Sequence, residues 1–162
     1  MTEVNISEIK RLRELTGVGI TDAKKALVES GGNFDKAYAQ MKEQGLAKAE
    51  ARGDREAVAG LIGSYTHDGR IGVIAEVNCE TDFVAKTDEF KELVKDLCLH
   101  IAASWPENET ELLVQPFVKN PDQTVGDYVN EHIAKLGENI IVKRFARFEL
   151  GETGQRTSLS RR

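Results

Sequence analysis

Apolar residues recur at every third or fourth position through residues 1–46, and this spacing predicts three short helices. Capping residues and glycines mark the expected ends: Ser7 and Gly17 for the first helix, Thr21 and Gly31 for the second, and Asn33 and Gly45 for the third. Each helix carries one apolar stripe, so the three are expected to pack as a small bundle. The next residues, 47–59, are rich in alanine and charge and are interpreted as a partly helical linker.

After residue 60 the hydrophobic pattern changes to a period of two, which predicts strands. Residues 61–67 and 71–78 flank Asp68-Gly69, a pair that favours the two-residue turn of a β-hairpin. Residues 140–150 alternate as well and predict a further strand. Its expected faces are Ile140, Val142, Ala146, Phe148 and Leu150 inside, and Lys143, Arg147 and Glu149 outside.

Two longer helices are predicted between the hairpin and the last strand. Thr87 and Thr124 are their expected N-terminal caps, and Trp105 and Gly137 mark their ends. Strands covered by helices predict an α+β fold, in which residues 1–46 form the three-helix bundle. Residues 60–150 form the α+β core domain, a small antiparallel sheet packed with helices. Residues 151–162 are predicted to be a disordered tail.

The charge of the chain is acidic and unevenly distributed. The net charge of the 162 residues is −5, and residues 60–150 hold nine Lys/Arg against sixteen Asp/Glu. Such a body argues against nucleic-acid binding, which needs a basic surface to neutralise phosphates. No apolar run predicts a membrane span or a secretory signal, and two cysteines without a CxxC pair exclude a disulfide scaffold. A cytoplasmic protein is the expectation.

A search for catalytic residues yields no recognised arrangement. His67, His100 and His132 lie on three separate predicted elements, and the sequence contains no HExxH, GxSxG or phosphate-loop motif. We therefore predict that the protein is not an enzyme and has no cofactor and no metal site. One alternative is an enzyme with an acidic site around Glu80 and Asp82, which would need a general base or a metal in addition.

The segment 79–85 does not fit any apolar stripe. Phe83 and Val84 are large and apolar, although they lie where a strand has ended and a helix has not begun, which indicates a surface loop. In one interpretation Phe83 folds inward and seals the core. In the other it is an exposed apolar anchor for a partner, with the carboxylate of Asp82 beside it.

Three separated motifs resemble bacterial elongation factor Ts, the guanine-nucleotide exchange factor of the translational GTPase elongation factor Tu. They are Leu12-Arg13…Thr16-Gly17-Val18-Gly19…Asp22…Lys24-Lys25-Ala26-Leu27, then Asn78-Cys79-Glu80-Thr81-Asp82-Phe83-Val84-Ala85, and finally Gly137-Glu138-Asn139-Ile140. The resemblance covers nearly the whole chain, with the motifs in the family's order.

This resemblance implies roles for two groups of residues. The first 46 residues would be a ubiquitin-associated-like domain that docks on the GTPase, with Leu12, Val18, Gly19 and Ile20 in the docking group. The segment that displaces magnesium from the GTPase would be Thr81, Asp82, Phe83 and Val84. Independently, Val18 and Ile20 lie in a glycine-flanked loop that is too short to bury both. The alternative function is an adaptor that binds peptides or ubiquitin-like proteins through the three-helix domain.

The sequence departs from this family in two places. Many members read Met-Met-Asp-Cys after the glycine loop, where this chain has Ile20-Thr21-Asp22-Ala23. The segment after Trp105 is short, whereas longer members carry a second core half and a helical arm there. One chain then offers a single core half and a sheet edge without obvious protection, so we predict a homodimer that rebuilds the two-half surface.

Overall fold

The computed structural model describes residues 4–153 and the backbone of residues 156–158. In chain order the elements are helices α1 Ile6–Thr16, α2 Ile20–Glu29 and α3 Phe34–Ala51; strands β1 Ala59–His67 and β2 Ile71–Cys79; helices α4 Asp82–Ala85, α5 Asp88–Ser104 and α6 Glu109–Val114; strands β3 Pro116–Phe117 and β4 Asn120–Thr124; helix α7 Val125–Leu136; and strands β5 Ile140–Glu149 and β6 Arg156–Ser158. The predicted α+β fold class is confirmed. Among the described residues, no helix has the length and apolar character needed to cross a membrane.

The first three helices form the predicted bundle around a core of their own. A left-handed Gly17 (φ 69°) ends α1 where expected, and the Asn33 side chain caps α3. The cap of α1 is Asn5 and not Ser7, because the Asn5 side chain accepts a hydrogen bond from the Ser7 backbone N–H at 2.9 Å. The buried residues of the bundle are Ile9, Leu12, Ala23, Ala26, Leu27, Ala37 and Met41.

The third helix is longer than predicted and removes most of the expected linker. It continues through Gly45 to Ala51, since the alanine-rich residues after Gly45 favour a helix. Gly45 lies against α7, where a Cβ atom on it would be 3.2 Å from the Cβ of Ala134. Ala49 is buried in the core of the sheet domain. The predicted end of the third helix at Gly45 is therefore wrong, and only residues 52–58 separate α3 from β1; the domain boundary at residue 46 stays a prediction.

The bundle packs against α7 of the core domain. The Lys42 ammonium lies 3.1 Å from a Glu131 carboxylate oxygen, which joins α3 to α7. The loop after α1 also packs against α7, because a Cβ atom placed on Gly17 would lie 2.6 Å from Cγ of Lys135. These contacts fix the orientation of the bundle relative to the sheet domain.

The main antiparallel sheet has the strand order β1-β2-β5-β6. Strands β1 and β2 form the predicted hairpin, with Asp68 (φ 49°) and Gly69 (φ 65°) both left-handed in the turn. Helix α5 covers one face of this sheet. The helix approaches the sheet closely at Gly63, where a Cβ would lie 2.3 Å from Cγ1 of Val94. The large apolar side chains of this core that are fully buried are Val77, Phe90, Leu93, Leu97, Ile101, Leu112 and Val125.

A β-bulge in β5 changes the faces predicted for that strand. The register between β2 and β5 shifts at Glu76 and Val77, which leaves Lys143 without a paired residue on β2. One additional residue reverses the alternation of every side chain beyond it. The predicted faces are therefore wrong for Arg147, which is buried, and for Ala146, Phe148 and Leu150, which are partly or largely exposed. Phe145 is buried on the same face as Arg147.

The predicted disordered tail is wrong for the part that the structure describes. Residues 156–158 form β6, whose backbone pairs antiparallel with β5 from Phe145 to Arg147. This pairing covers the free edge of β5, where unpaired backbone groups would otherwise face solvent. The remaining residues of the predicted tail after Thr153 lie outside the described residues.

Candidate functional site

The segment Thr81, Asp82, Phe83 and Val84 lies at the corner between β2 and α5, as predicted. It is not a loop, however, since Asp82–Ala85 form the single helical turn α4. Thr81 is its N-cap, and the Thr81 hydroxyl oxygen accepts a hydrogen bond from the Val84 backbone N–H at 3.4 Å. The segment is therefore an ordered corner with defined side-chain directions.

Phe83 points away from the protein, and its side chain is 87% exposed. The other side of the turn faces inward, because Ala85 is buried and Val84 packs against the core. The interpretation in which Phe83 seals the core is therefore wrong. Asp82 is exposed as well, so the most prominent part of the corner is an aromatic ring beside a carboxylate.

The corner is fixed at both ends by hydrogen bonds. On the strand side the buried Cys79 thiol donates to the Thr81 carbonyl oxygen at 3.2 Å. Burial, together with the Glu138 carboxylate, raises the pKa of this thiol, which keeps it protonated as a donor at neutral pH. On the helix side the Thr87 hydroxyl donates to the Val84 carbonyl oxygen at 2.7 Å and accepts from the Phe90 backbone N–H at 3.3 Å.

The docking residues predicted in the bundle occupy two different environments. Gly19 is exposed at the N-cap of α2, and Ile20 begins that helix with a side chain that is 60% exposed. Val18 is half-buried and packs against the bundle core. Leu12 is fully buried, which corrects its placement in the docking group: it supports the loop from inside and has no exposed surface to offer a partner.

One groove is lined by sequence neighbours of both candidate regions. Its walls come from the end of α1, from the end of α7 and from the start of α5; the lining residues are Arg13, Glu14, Gly17, Thr87, Glu89, Lys135 and Leu136. Gly17 directly precedes Val18 in the chain, and Thr87 follows α4 after Lys86. The groove thus lies between residues that neighbour the two candidate segments in sequence, whereas residues 18–20 and 81–84 themselves do not line it.

Sequence reasoning assigned no role to Glu138, which contacts Thr81. The Glu138 carboxylate accepts hydrogen bonds from the backbone and from the hydroxyl of Thr81, across the turn between α7 and β5. Its signal in the sequence is its place in the motif Gly137-Glu138-Asn139-Ile140. The described residues contain no group of three or more His, Cys, Asp or Glu side chains that could bind a metal ion.

Comparison with known proteins identifies the family. The sequence model described as elongation factor TS matches residues 20–106 and 80–158. Elongation factor Ts of Alkaliphilus oremlandii is 44% identical over 195 residues, which covers 93% of this chain and 90% of the relative. The chain belongs to the elongation factor Ts family. It is therefore a factor of translation elongation in protein biosynthesis.

Two further elongation factor Ts relatives give the same result. The protein of Heliobacterium modesticaldum is 42% identical, with 92% of this chain and 91% of the relative covered. That of Desulfosudis oleivorans is 41% identical, with 94% and 100% covered. These alignments are longer than the chain itself, for example 195 positions against 162 residues. The relatives therefore carry residues without a counterpart here, while the position of the shortening after Trp105 stays a prediction.

Proposed function

We propose that this protein is the guanine-nucleotide exchange factor of elongation factor Tu and promotes GDP release with the corner at residues 81–84. The observation that supports this most directly is the exposed ring of Phe83 on an ordered turn. A large apolar side chain that the protein leaves in water is suited to insertion into a pocket of a partner. Membership in the elongation factor Ts family names that partner.

The mechanism is thermodynamic linkage and involves no bond chemistry in this chain. The exchange factor and the nucleotide bind the same GTPase with opposing effects, and the coupling is reciprocal. Faster release by about a thousandfold requires a barrier lower by about 4 kcal/mol. Burial of one phenylalanine supplies about 1.5–3 kcal/mol of that, and a carboxylate next to a bound magnesium ion disturbs its charge balance. Phe83 and Asp82 are the residues placed for these two roles.

The bundle and the corner can contact one GTPase together because they belong to packed parts of one chain. Contacts of α3 and of the Gly17 loop with α7 join the bundle to the sheet domain. A GTPase that binds at Ile20 is thereby held near the domain that carries Phe83. Binding energy from the bundle is thereby available to position the ring and the carboxylate at the nucleotide site.

The direct test is the release of labelled GDP from elongation factor Tu with substoichiometric amounts of this chain. We expect release to accelerate and each molecule of the factor to act repeatedly. A chain that binds peptides or ubiquitin-like proteins through the bundle, and leaves GDP release unchanged, would instead be the adaptor.

Replacing Ile20 with serine is expected to weaken binding to nucleotide-free elongation factor Tu by roughly tenfold. Folding stability should stay unchanged, because the Ile20 side chain is largely exposed. Val18→Ser should in addition lower the free energy of unfolding by about 1 kcal/mol, since Val18 packs partly against the bundle core. Calorimetric titration and thermal unfolding of the same variants measure both quantities.

Val28 provides the matched control for Ile20. It is an exposed aliphatic residue near the other end of α2, and Val28→Ser should change neither affinity nor stability. If Ile20→Ser binds as tightly as the parent chain, the bundle docks through another surface.

We also propose that two copies of this chain associate through the uncovered face of the sheet. Helix α5 covers one face, whereas the opposite face exposes apolar side chains: Ile62 is 61% exposed, Ile74 49% and Phe148 48%. The pairing register of β1, β2 and β5 places these three side chains on the same side of the sheet. Two such faces packed together would remove this apolar surface from water.

Light scattering at tens of micromolar is expected to give the mass of two chains, and Ile74→Glu is expected to give the mass of one. The change places a charge at the centre of the uncovered face, where burial would cost more than the contact provides. Val114→Glu is the matched control, because Val114 is exposed on α6. A parent chain with the mass of a monomer would contradict the proposed dimer.

A further inference from the structure

The turn between α7 and β5 contacts the candidate site through three hydrogen bonds accepted by the Glu138 carboxylate. One carboxylate oxygen of Glu138, Oε2, accepts hydrogen bonds from the backbone N–H groups of Glu80 and Thr81, both at 3.0 Å. The other oxygen, Oε1, accepts from the Thr81 hydroxyl at 2.6 Å. A single side chain therefore fixes both the backbone and the side chain of the residue that caps α4.

The contact is reciprocal. The Glu80 carboxylate accepts a hydrogen bond from the Asn139 backbone N–H at 2.7 Å, so each segment presents a glutamate to the backbone of the other. Asn139 is buried, and its side-chain amide donates to the Arg55 carbonyl oxygen at 2.7 Å. The turn that carries Glu138 is thus itself attached to the segment before β1, and it cannot shift without breaking these bonds.

Helix α4 needs such support because it consists of one turn. A four-residue helix is far below the length at which helices are stable without external contacts. The exposed ring of Phe83 contributes no packing that would fix the turn, and the Val84 N–H to Thr81 hydroxyl contact is long, at 3.4 Å. The hydrogen bonds from Glu138 are shorter and involve a charged acceptor, which makes them the stronger constraint.

We propose that Glu138 is a positioning residue for nucleotide exchange: through Thr81 it sets the direction in which Asp82 and Phe83 leave the protein. The inference rests on the proposed exchange function, because it assigns a role within that same site. Glu138 itself is half-buried in the turn and acts on the partner only through the corner.

The proposal predicts non-additivity with Phe83. Glu138→Ala should lower the maximal rate of catalysed GDP release by roughly tenfold, because the charged hydrogen bonds that orient the turn are lost. The same change in a Phe83→Ala background should have a clearly smaller effect, since the ring is then absent and only Asp82, the weaker contributor, is still positioned by Glu138. The concentration of factor that gives half-maximal release should change less than the rate, because the bundle still docks.

Amide hydrogen exchange of the isolated chain tests the structural half of the proposal without any GTPase. In Glu138→Ala the Thr81 amide should exchange at least about tenfold faster, while amides in the middle of β2 keep their protection. Glu138→Gln retains one acceptor oxygen, so it should give intermediate values in both assays, and it replaces the alanine variant if that one does not fold. Glu152→Ala removes the same charge from an exposed residue beyond the far end of β5 and should match the parent chain.

Two results would overturn the positioning role: unchanged Thr81 protection, or an equal loss of release rate in the presence and absence of Phe83. Failure of the exchange function is seen separately, as a parent chain that does not accelerate GDP release at all.

Discussion

Replacing Phe83 with alanine is expected to slow the catalysed release of GDP by roughly 10- to 100-fold, which corresponds to a barrier increase of about 1–3 kcal/mol. Folding stability should stay within about 0.5 kcal/mol of the parent chain, because the ring lies almost entirely in solvent and its removal leaves no cavity. GDP-release kinetics and denaturant unfolding on the same preparation measure the two quantities. If the ring inserts into the GTPase, the variant should lose most of its effect on GDP release while its unfolding curve stays unchanged.

Phe90 is the control for this experiment. It lies seven residues further along the chain and is fully buried beneath the sheet, so Phe90→Ala should lower the free energy of unfolding by about 3–5 kcal/mol.

Asp82→Asn should reduce release less than Phe83→Ala, and its effect should depend on the magnesium concentration, because the role of the carboxylate is tied to the ion. If Phe83→Ala accelerates GDP release from elongation factor Tu as much as the parent chain does, the ring is not the inserted group.

Replacing Arg147 with alanine is expected to lower the free energy of unfolding by about 2–4 kcal/mol. The guanidinium is buried, and its Nε and Nη2 donate to the carbonyl oxygen of Ala102 near the C-terminal end of α5, at 3.2 and 3.1 Å. It also lies 4.1 Å from the ring centroid of Trp105 and pairs with Glu149 at 3.1 Å. Arg147→Ala leaves a cavity and removes the partner of the Ala102 carbonyl oxygen and of the Glu149 carboxylate. A urea titration measures the loss of stability.

Arg144 on the same strand is the matched control. Its ion pair with Glu76 is short, at 2.7 Å, but lies on the outer face, where the arginine side chain is more than half exposed. Arg144→Ala should therefore change stability by no more than about 1 kcal/mol. Equal losses for the two arginines would mean that the bulge at Lys143 does not direct Arg147 into the core.

The candidate site could be found from the sequence only as a set of residues. Segment 81–84 is recognisable because Phe83 is apolar and belongs to no stripe, and because the motif resembles that of a known family. Its conformation was not predictable in the same way, since the single turn α4 is stabilised by Thr81, Thr87 and Glu138, and Glu138 lies 57 residues away from Thr81. Leu12 was misplaced for a related reason, because a motif does not separate residues that contact a partner from residues that support the contact.

Elements with local signals are predictable from the amino-acid sequence alone. The Asp68-Gly69 hairpin, the Thr87 and Thr124 caps and the glycines that end α1 and α7 follow from backbone preferences and from hydrogen bonds within a few residues. Features that depend on distant partners are visible only in the folded structure. Such features are the continuation of α3 through Gly45 against α7, the bulge that buries Arg147 and the attachment of Thr81 to Glu138. In each case the deciding contact joins residues far apart in the chain, and neither periodicity nor propensity contains that information.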